Sequence, residues 1–150
     1  MQVINDVWPA TAEQMEAMAA PGPDGPIYMV NLLKFRDRAA YEDGRATELT
    51  GRDAYQIYAR AVVELLPRFG GVAIFAGDVM HLSLGRVEEL WDEIAIARYP
   101  RRADMVRMSL SEEWRAIAVH RTAGLAGQLN IETVAAAEVG GDLLARMEAG

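Results

Sequence analysis

The chain has 150 residues, 51% of them hydrophobic and 25% charged, which is an ordinary composition for one globular domain with a sizeable core. Its net charge of −7 disfavours binding to a phosphate backbone, so we expect no nucleic-acid partner. The absence of cysteine excludes disulfides and thiolate chemistry. No apolar run reaches the roughly 18 residues of a membrane span, and no basic segment typical of a signal peptide opens the chain. We therefore expect a cytoplasmic protein without a membrane partner.

The first half of the chain begins with an extension over residues 1–25, in which Thr11 is the candidate N-cap of a short helix. Residues 27–35 are rich in strand formers and predict the first strand. Apolar residues at three- and four-residue spacing then predict a helix over 52–69, which a pair of glycines ends.

The second half predicts two further strands, over residues 72–80 and 91–99. A short helix over 104–110 is followed by another helix, for which Ser111 is the candidate N-cap. Residues 128–134 predict the fourth strand.

This β-α-β-β-α-β order is the split pattern of a ferredoxin-like fold, an α+β architecture in which an antiparallel sheet carries its helices on one face. Alternation along the strands separates the two faces of the sheet. One set of side chains is uniformly apolar and is expected to pack under the helices: Val30, Leu32, Val72, Ile74, Ile94 and Ile96.

The opposite set is also largely apolar, but it carries an amide, a carboxyl and a phenol: Met29, Asn31, Leu33, Phe35, Ala73, Phe75, Val79, Trp91, Glu93, Ala95, Ala97 and Tyr99. An exposed face of this kind should be covered by a partner. We therefore expect a homodimer in which two such faces meet and enclose a pocket for a small, largely apolar molecule.

Several short segments, taken together and in this order, resemble the uncharacterised domain-of-unknown-function 1330 family. They are Tyr28–Phe35, the stretch from Gly70 to Gly77, Trp91-Asp92, Tyr99-Pro100 and His120–Leu125. The resemblance covers residues 26–134 and leaves 1–25 as an N-terminal extension and 135–150 as a C-terminal tail. It implies membership of the dimeric α/β-barrel superfamily, in which two ferredoxin-like protomers pack sheet to sheet. The familiar short form has Tyr-Pro-Ser where this chain has Tyr99-Pro100-Arg101, so the chain departs from the family pattern at Arg101.

The superfamily includes cofactor-free monooxygenases, haem-degrading enzymes, small isomerases and ligand-binding modules, and the fold does not choose among them. One hypothesis is a cofactor-independent enzyme of the oxygenase or isomerase type. The alternatives are a non-catalytic ligand-binding module and a structural dimer.

Two residues are candidates for moving a proton, His120 and Glu93. His120 is either a general base or a cap of the helix C-terminus. A carboxyl in an apolar cavity would have a raised pKa, so Glu93 is either an acid–base group or the partner of an arginine.

The candidate substrate-binding residues are Asn31, Phe35, Phe75, Trp91, Tyr99 and Arg121. Asn31 either orients a substrate oxygen or is satisfied across the dimer interface. Arg121 either binds a carboxylate or pairs with an acid of the chain, and Tyr99 either donates to substrate or only packs. Only two histidines are present, not on a shared short motif, and no glycine-rich phosphate loop matches, so we expect no metal and no cofactor.

Overall fold

The computed structural model describes residues 10–136, 141 and 143–150. Its elements in chain order are α1 (Ala12–Ala19), β1 (Ile27–Phe35), α2 (Gly51–Leu65) with a following 3₁₀ turn (Leu66–Phe69), β2 (Val72–Asp78), β3 (Glu93–Tyr99), α3 (Arg102–Ser109), α4 (Glu112–Gly124), β4 (Leu125–Thr133) and α5 (Leu143–Glu148). Parts of the expected N-terminal extension (1–9) and C-terminal tail (137–140 and 142) lie outside the described residues.

The four strands form one antiparallel sheet in the order β2-β3-β1-β4, which is the ferredoxin-like arrangement. The α+β fold class predicted from the element order is therefore confirmed. The bounds of β1 agree with the prediction, whereas β4 begins earlier than expected, at Leu125, directly out of α4.

Short polar side chains cap the starts of α1, α2 and α4, and two of these caps, Thr11 and Ser111, agree with the sequence prediction. The Thr11 and Thr50 side chains each accept a hydrogen bond from the third helical residue and complete a capping box at α1 and α2. Ser111 Oγ accepts a hydrogen bond of 3.2 Å from the Trp114 amide at the start of α4. Local chemistry thus sets these helix starts without help from the rest of the fold.

The face of the sheet under the helices is the one that carries Asn31. Ile27, Met29 and Leu33 are buried there, and Leu33 packs with Tyr55 of α2. The expectation that the Val30 set packs under the helices is therefore wrong, and so is the expectation that the Asn31 face meets a partner. Because both sets are apolar, alternation separates them but does not say which one the helices cover.

We call the opposite side the outer face. Its strand residues are Tyr28, Val30, Leu32, Lys34, Val72, Phe75, Ile94, Ile96, Arg98, Leu129, Ile131 and Thr133. A β-bulge between Ala73 and Phe75 shifts the register, so that Phe75 pairs with Ile96 and is 56% exposed on this face. The expectation that Phe75 shares a face with Asn31 is wrong, because one extra residue reverses the alternation.

Two glycines bring α2 and α4 into backbone contact. Gly124 lies so close to the start of α2 that a Cβ atom built on it would stand 2.4 Å from the Gly51 carbonyl oxygen. The Gly124 carbonyl also accepts a hydrogen bond of 2.9 Å from the Arg36 amide, and the Arg36 carbonyl accepts one of 3.1 Å from Gly51. This crossing fixes the end of α4 against β1 and α2.

Gly124→Ala should therefore destabilise the protein, although alanine favours helix. The new methyl group meets backbone rather than a flexible side chain, so we expect a loss of about 3 kcal/mol and a melting temperature lower by roughly 10 °C. Thermal unfolding followed by circular dichroism measures this change. Ala116→Ser, at an exposed position of the same helix, is the control. A Gly124→Ala protein that melts with the wild type would show that the close crossing does not constrain the fold.

Candidate functional site

A buried guanidinium lies between the sheet and the helices. Arg121, near the end of α4, is 9% exposed, and its Nη2 donates a hydrogen bond of 2.5 Å to Gln128 Oε1. Its guanidinium carbon lies 5.7 Å from the centre of the Trp114 ring. In the part of the chain that the structure describes, no carboxylate lies within ion-pair distance of Arg121. Burial lowers the pKa of Arg121 from its usual value.

Three tyrosines surround this cation closely enough to interact with it electrostatically: Tyr55 and Tyr58 of α2 and Tyr99 of β3. Burial raises the pKa of Tyr55 and of Tyr99 well above the usual value, so both phenols stay protonated and can donate hydrogen bonds. The Tyr58 hydroxyl oxygen accepts a hydrogen bond of 3.2 Å from Trp114 Nε1, which leaves its own proton to donate. Neutral donors and one positive charge therefore converge in this layer.

Asn31 joins the cluster through Gln128. Its Oδ1 accepts hydrogen bonds of 2.8 Å from Gln128 Nε2 and of 3.0 Å from Asn130 Nδ2. Its Nδ2 donates to two backbone carbonyls, those of Ala95 at 3.2 Å and Met29 at 3.3 Å. We call the chain Asn31–Gln128–Arg121 the amide relay.

Glu93 occupies another part of the sheet face that the helices cover, which we call the inner face. It is 7% exposed and lies 3.3 Å from Arg52, which also pairs with Asp78 at 2.6 Å. Asp78 faces Glu93 across the β2–β3 pair. Burial is the main reason that the pKa of Glu93 is raised; Arg52 lowers this pKa and Asp78 raises it further. The ion pair between Glu93 and Arg52 is thus present, which is one of the two roles that the sequence predicts for Glu93.

His120 points away from the amide relay, toward the segment that joins β1 to α2. Its Nδ1 lies 2.7 Å from the Tyr41 hydroxyl, and the two rings meet edge to face. Burial lowers the pKa of His120, and the Arg45 guanidinium lowers it further. The Tyr41 contact and the lowered pKa are the opposite of what a helix-capping, charged histidine would show.

The remaining candidate residues lie in three different places. Phe35 packs on Tyr55 with ring centres 5.4 Å apart and lies under the Arg52 guanidinium. Trp91 is buried, and its Nε1 has no hydrogen-bond partner among the described residues. Phe75 lies on the outer face, away from the cluster.

Sequence reasoning missed the tyrosine pair of α2 and Gln128 of β4 as site residues. Tyr58 lies on the apolar stripe of α2, where a tyrosine is typical of the core, but its hydroxyl also accepts a hydrogen bond from Trp114 Nε1 beside Arg121. Gln128 and Asn130 alternate along β4, and this period of two is a signal that could have placed both amides on one face.

Two kinds of feature are missing from the described residues. They include no group of three or more histidine, cysteine or acidic side chains that could hold a metal ion. Nor does any helix among them have the length and apolar character needed to cross a membrane.

The lowered pKa of His120 predicts how its contribution to stability depends on pH. A histidine with a depressed pKa in the folded state stabilises the fold above its unfolded-state pKa of about 6.5, and that contribution is lost as the pH falls through the folded-state pKa. The difference in unfolding free energy between wild type and His120→Gln should therefore grow as the pH rises from about 5 to about 8. Urea unfolding at these two pH values measures the difference. A difference that shrinks with rising pH would indicate a charged, capping histidine.

Comparison with known proteins finds relatives only among solved structures. No family model and no curated protein matches the chain. RPA0582, a protein of unknown function from Rhodopseudomonas palustris, is 33% identical over 83% of this chain and 93% of its own, with a TM-score of 0.73. Its methylated form aligns with 35% identity, covers 83% of this chain and 91% of its own, and has a TM-score of 0.74.

A more distant similarity is to a protein of unknown function from Bacteroides fragilis NCTC 9343, described as dimeric with a ferredoxin-like fold. It is 15% identical over 72% of this chain and 94% of its own, with a TM-score of 0.49. The identity and coverage shared with RPA0582 are what decide the family. This chain belongs to the same family as RPA0582, whose function is unknown.

Proposed function

We propose that this protein binds a small molecule with a largely apolar body and one anionic oxygen group, in the layer between sheet and helices. The observation that carries the proposal is the burial of Arg121 beside a neutral amide. A buried cation without a counter-ion costs several kcal/mol, and buried charges in proteins are paired. A bound carboxylate or enolate would supply the missing negative charge.

The donors around Arg121 suit such a group. A guanidinium carries five N–H donors in a planar fork, and one hydrogen bond of Arg121, to Gln128, is present. The Tyr58 hydroxyl adds a donor from α2. The aromatic rings of Trp114 and Tyr55 provide the apolar surroundings that small-molecule sites usually have.

A cofactor-independent enzyme of the oxygenase or isomerase type is the second candidate. Donors and a cation held in place for an oxyanion stabilise an enolate as well as a carboxylate. The pKa of Glu93, raised mainly by burial, also favours an acid–base role. Burial is the main cause of the raised pKa of Tyr55; the Arg121 guanidinium lowers this pKa and the Glu93 carboxylate raises it. His120 is not part of this proposal, because its ring faces Tyr41.

Native mass spectrometry of protein purified without added ligand would identify a bound compound, and conversion of that compound on incubation would indicate an enzyme.

We also propose that the chain is a homodimer of the kind that the domain-of-unknown-function 1330 resemblance implies, with the outer face as the interface. The support is the composition of that face. In an acidic chain its strand residues include no carboxylate, and most of them are apolar. Phe75, Ile131 and Leu129 are exposed there. A second copy would bring the same apolar, carboxylate-free face to the contact.

Arg121→Met tests the binding proposal. Benzoate, an apolar ring with one carboxylate, should raise the melting temperature of the wild type by roughly 5–10 °C at about a hundred times its dissociation constant. It should not stabilise Arg121→Met. Because the variant removes a buried charge, its own unfolding free energy should stay within about 1 kcal/mol of the wild type. Benzamide, the neutral analogue, is the control ligand. Equal shifts with benzoate and benzamide, or equal shifts in both proteins, would contradict the proposal.

Ile96→Arg tests the homodimer. Ile96 pairs with Val30 and Phe75 at the centre of the outer face, so an arginine there places a charge in the contact from each protomer. Sedimentation at micromolar concentration should show wild type at twice 16.5 kDa and the variant at 16.5 kDa. Ile57→Arg, at an exposed position of α2, is the control and should remain dimeric. A monomeric wild type would refute the dimer.

A further inference from the structure

The amide relay has a fixed direction. One end consists of the Met29 and Ala95 carbonyls, which can only accept hydrogen bonds, so the Asn31 amide must turn its Nδ2 toward them. The other end is the Arg121 guanidinium, which can only donate, so Gln128 must turn its Oε1 toward it. The hydrogen bond between Gln128 Nε2 and Asn31 Oδ1 then joins the two amides in the one sense that satisfies both ends.

The hydrogen-bonding capacity of Asn31 is filled within the protomer. A carboxamide has two N–H donors and two oxygen lone pairs. The Nδ2 of Asn31 donates to two carbonyls, and its Oδ1 accepts from Gln128 and Asn130. No donor or acceptor of this amide is left for a ligand.

From this geometry we infer that Asn31 is a positioning residue, which acts on the ligand site through Gln128 and does not contact the ligand. Holding the Gln128 amide in one direction keeps its Oε1 on Arg121, and this contact directs the remaining N–H donors of the guanidinium. The inference rests on the proposed function, since it assigns Asn31 a role at the site of the anionic group.

A double-mutant cycle separates this role from a merely structural one. The four proteins are wild type, Asn31→Leu, Gln128→Met and the double variant, and the probe is benzoate measured by isothermal titration calorimetry. Losing a hydrogen bond to a charged group weakens binding roughly tenfold or more. If Asn31 acts through Gln128, both single variants and the double variant should bind equally weakly, because the second change has nothing left to remove.

Asn130→Ala is the matched control, because it removes the other donor to the same Asn31 oxygen without touching Gln128. It should change the dissociation constant by less than about twofold. Additive losses in the double variant, or an unchanged affinity in Asn31→Leu, would overturn the inference. Asn31→Ala replaces Asn31→Leu in the cycle if the larger side chain disturbs β1.

A second measurement does not depend on any probe. In the wild type Gln128 Nε2 donates one of its two protons to Asn31, so this proton should exchange slowly with solvent in NMR spectra, and it should exchange faster in Asn31→Leu. Equal exchange in the two proteins would overturn the inference. If wild type fails to bind benzoate but this exchange difference is present, the relay stands and the proposed function fails.

Discussion

The burial of the Arg121 guanidinium is the constraint around which the inner layer of this protein is arranged. Removing a cation from water is costly unless charge or hydrogen bonds replace the lost solvation. Here one neutral amide and an aromatic face are the contacts that the described residues offer. Three buried tyrosines, a tryptophan N–H and, through Gln128, the Asn31 amide gather near this one charge. This concentration of polar groups around one buried charge is the feature on which the proposed ligand site rests.

The fold places these groups by short local steps. Helix α4 begins at the Ser111 cap and ends at Gly124, three residues after Arg121. Strand β4 starts directly after Gly124, so that Gln128 faces Arg121, which lies seven positions before it in the sequence. Gly124 also permits the backbone crossing with α2, which brings Tyr55 and Tyr58 of α2 close to Arg121. The polar cluster therefore depends on a glycine that contributes no side chain to it.

Much of the fold could be predicted because its signals are local. Caps such as Thr11 and Ser111, and strand formers such as those of β1, act through neighbours in sequence. Asn31 and Arg121 could be singled out as polar residues on apolar stretches. The connection between Asn31 and Arg121 could not be predicted, because it runs through Gln128, which lies 97 residues from Asn31 in the sequence. Nor could the face of Phe75 be predicted, since it depends on a bulge that the alternation does not reveal.

The reversed assignment of the two sheet faces follows from an assumption about polar residues. The uniformly apolar set was expected in the core and the mixed set at a partner. In the structure the mixed set is inside, because α2 and α4 bring polar partners of their own: Arg52 for Glu93, and Arg121 for the amide of Gln128 beside Asn31. A core can therefore hold several polar groups when most of them are hydrogen-bonded to one another. The uniformly apolar residues of β1 and β3, which have no such partners to offer, lie on the outer face, and the proposed dimer contact rests on them.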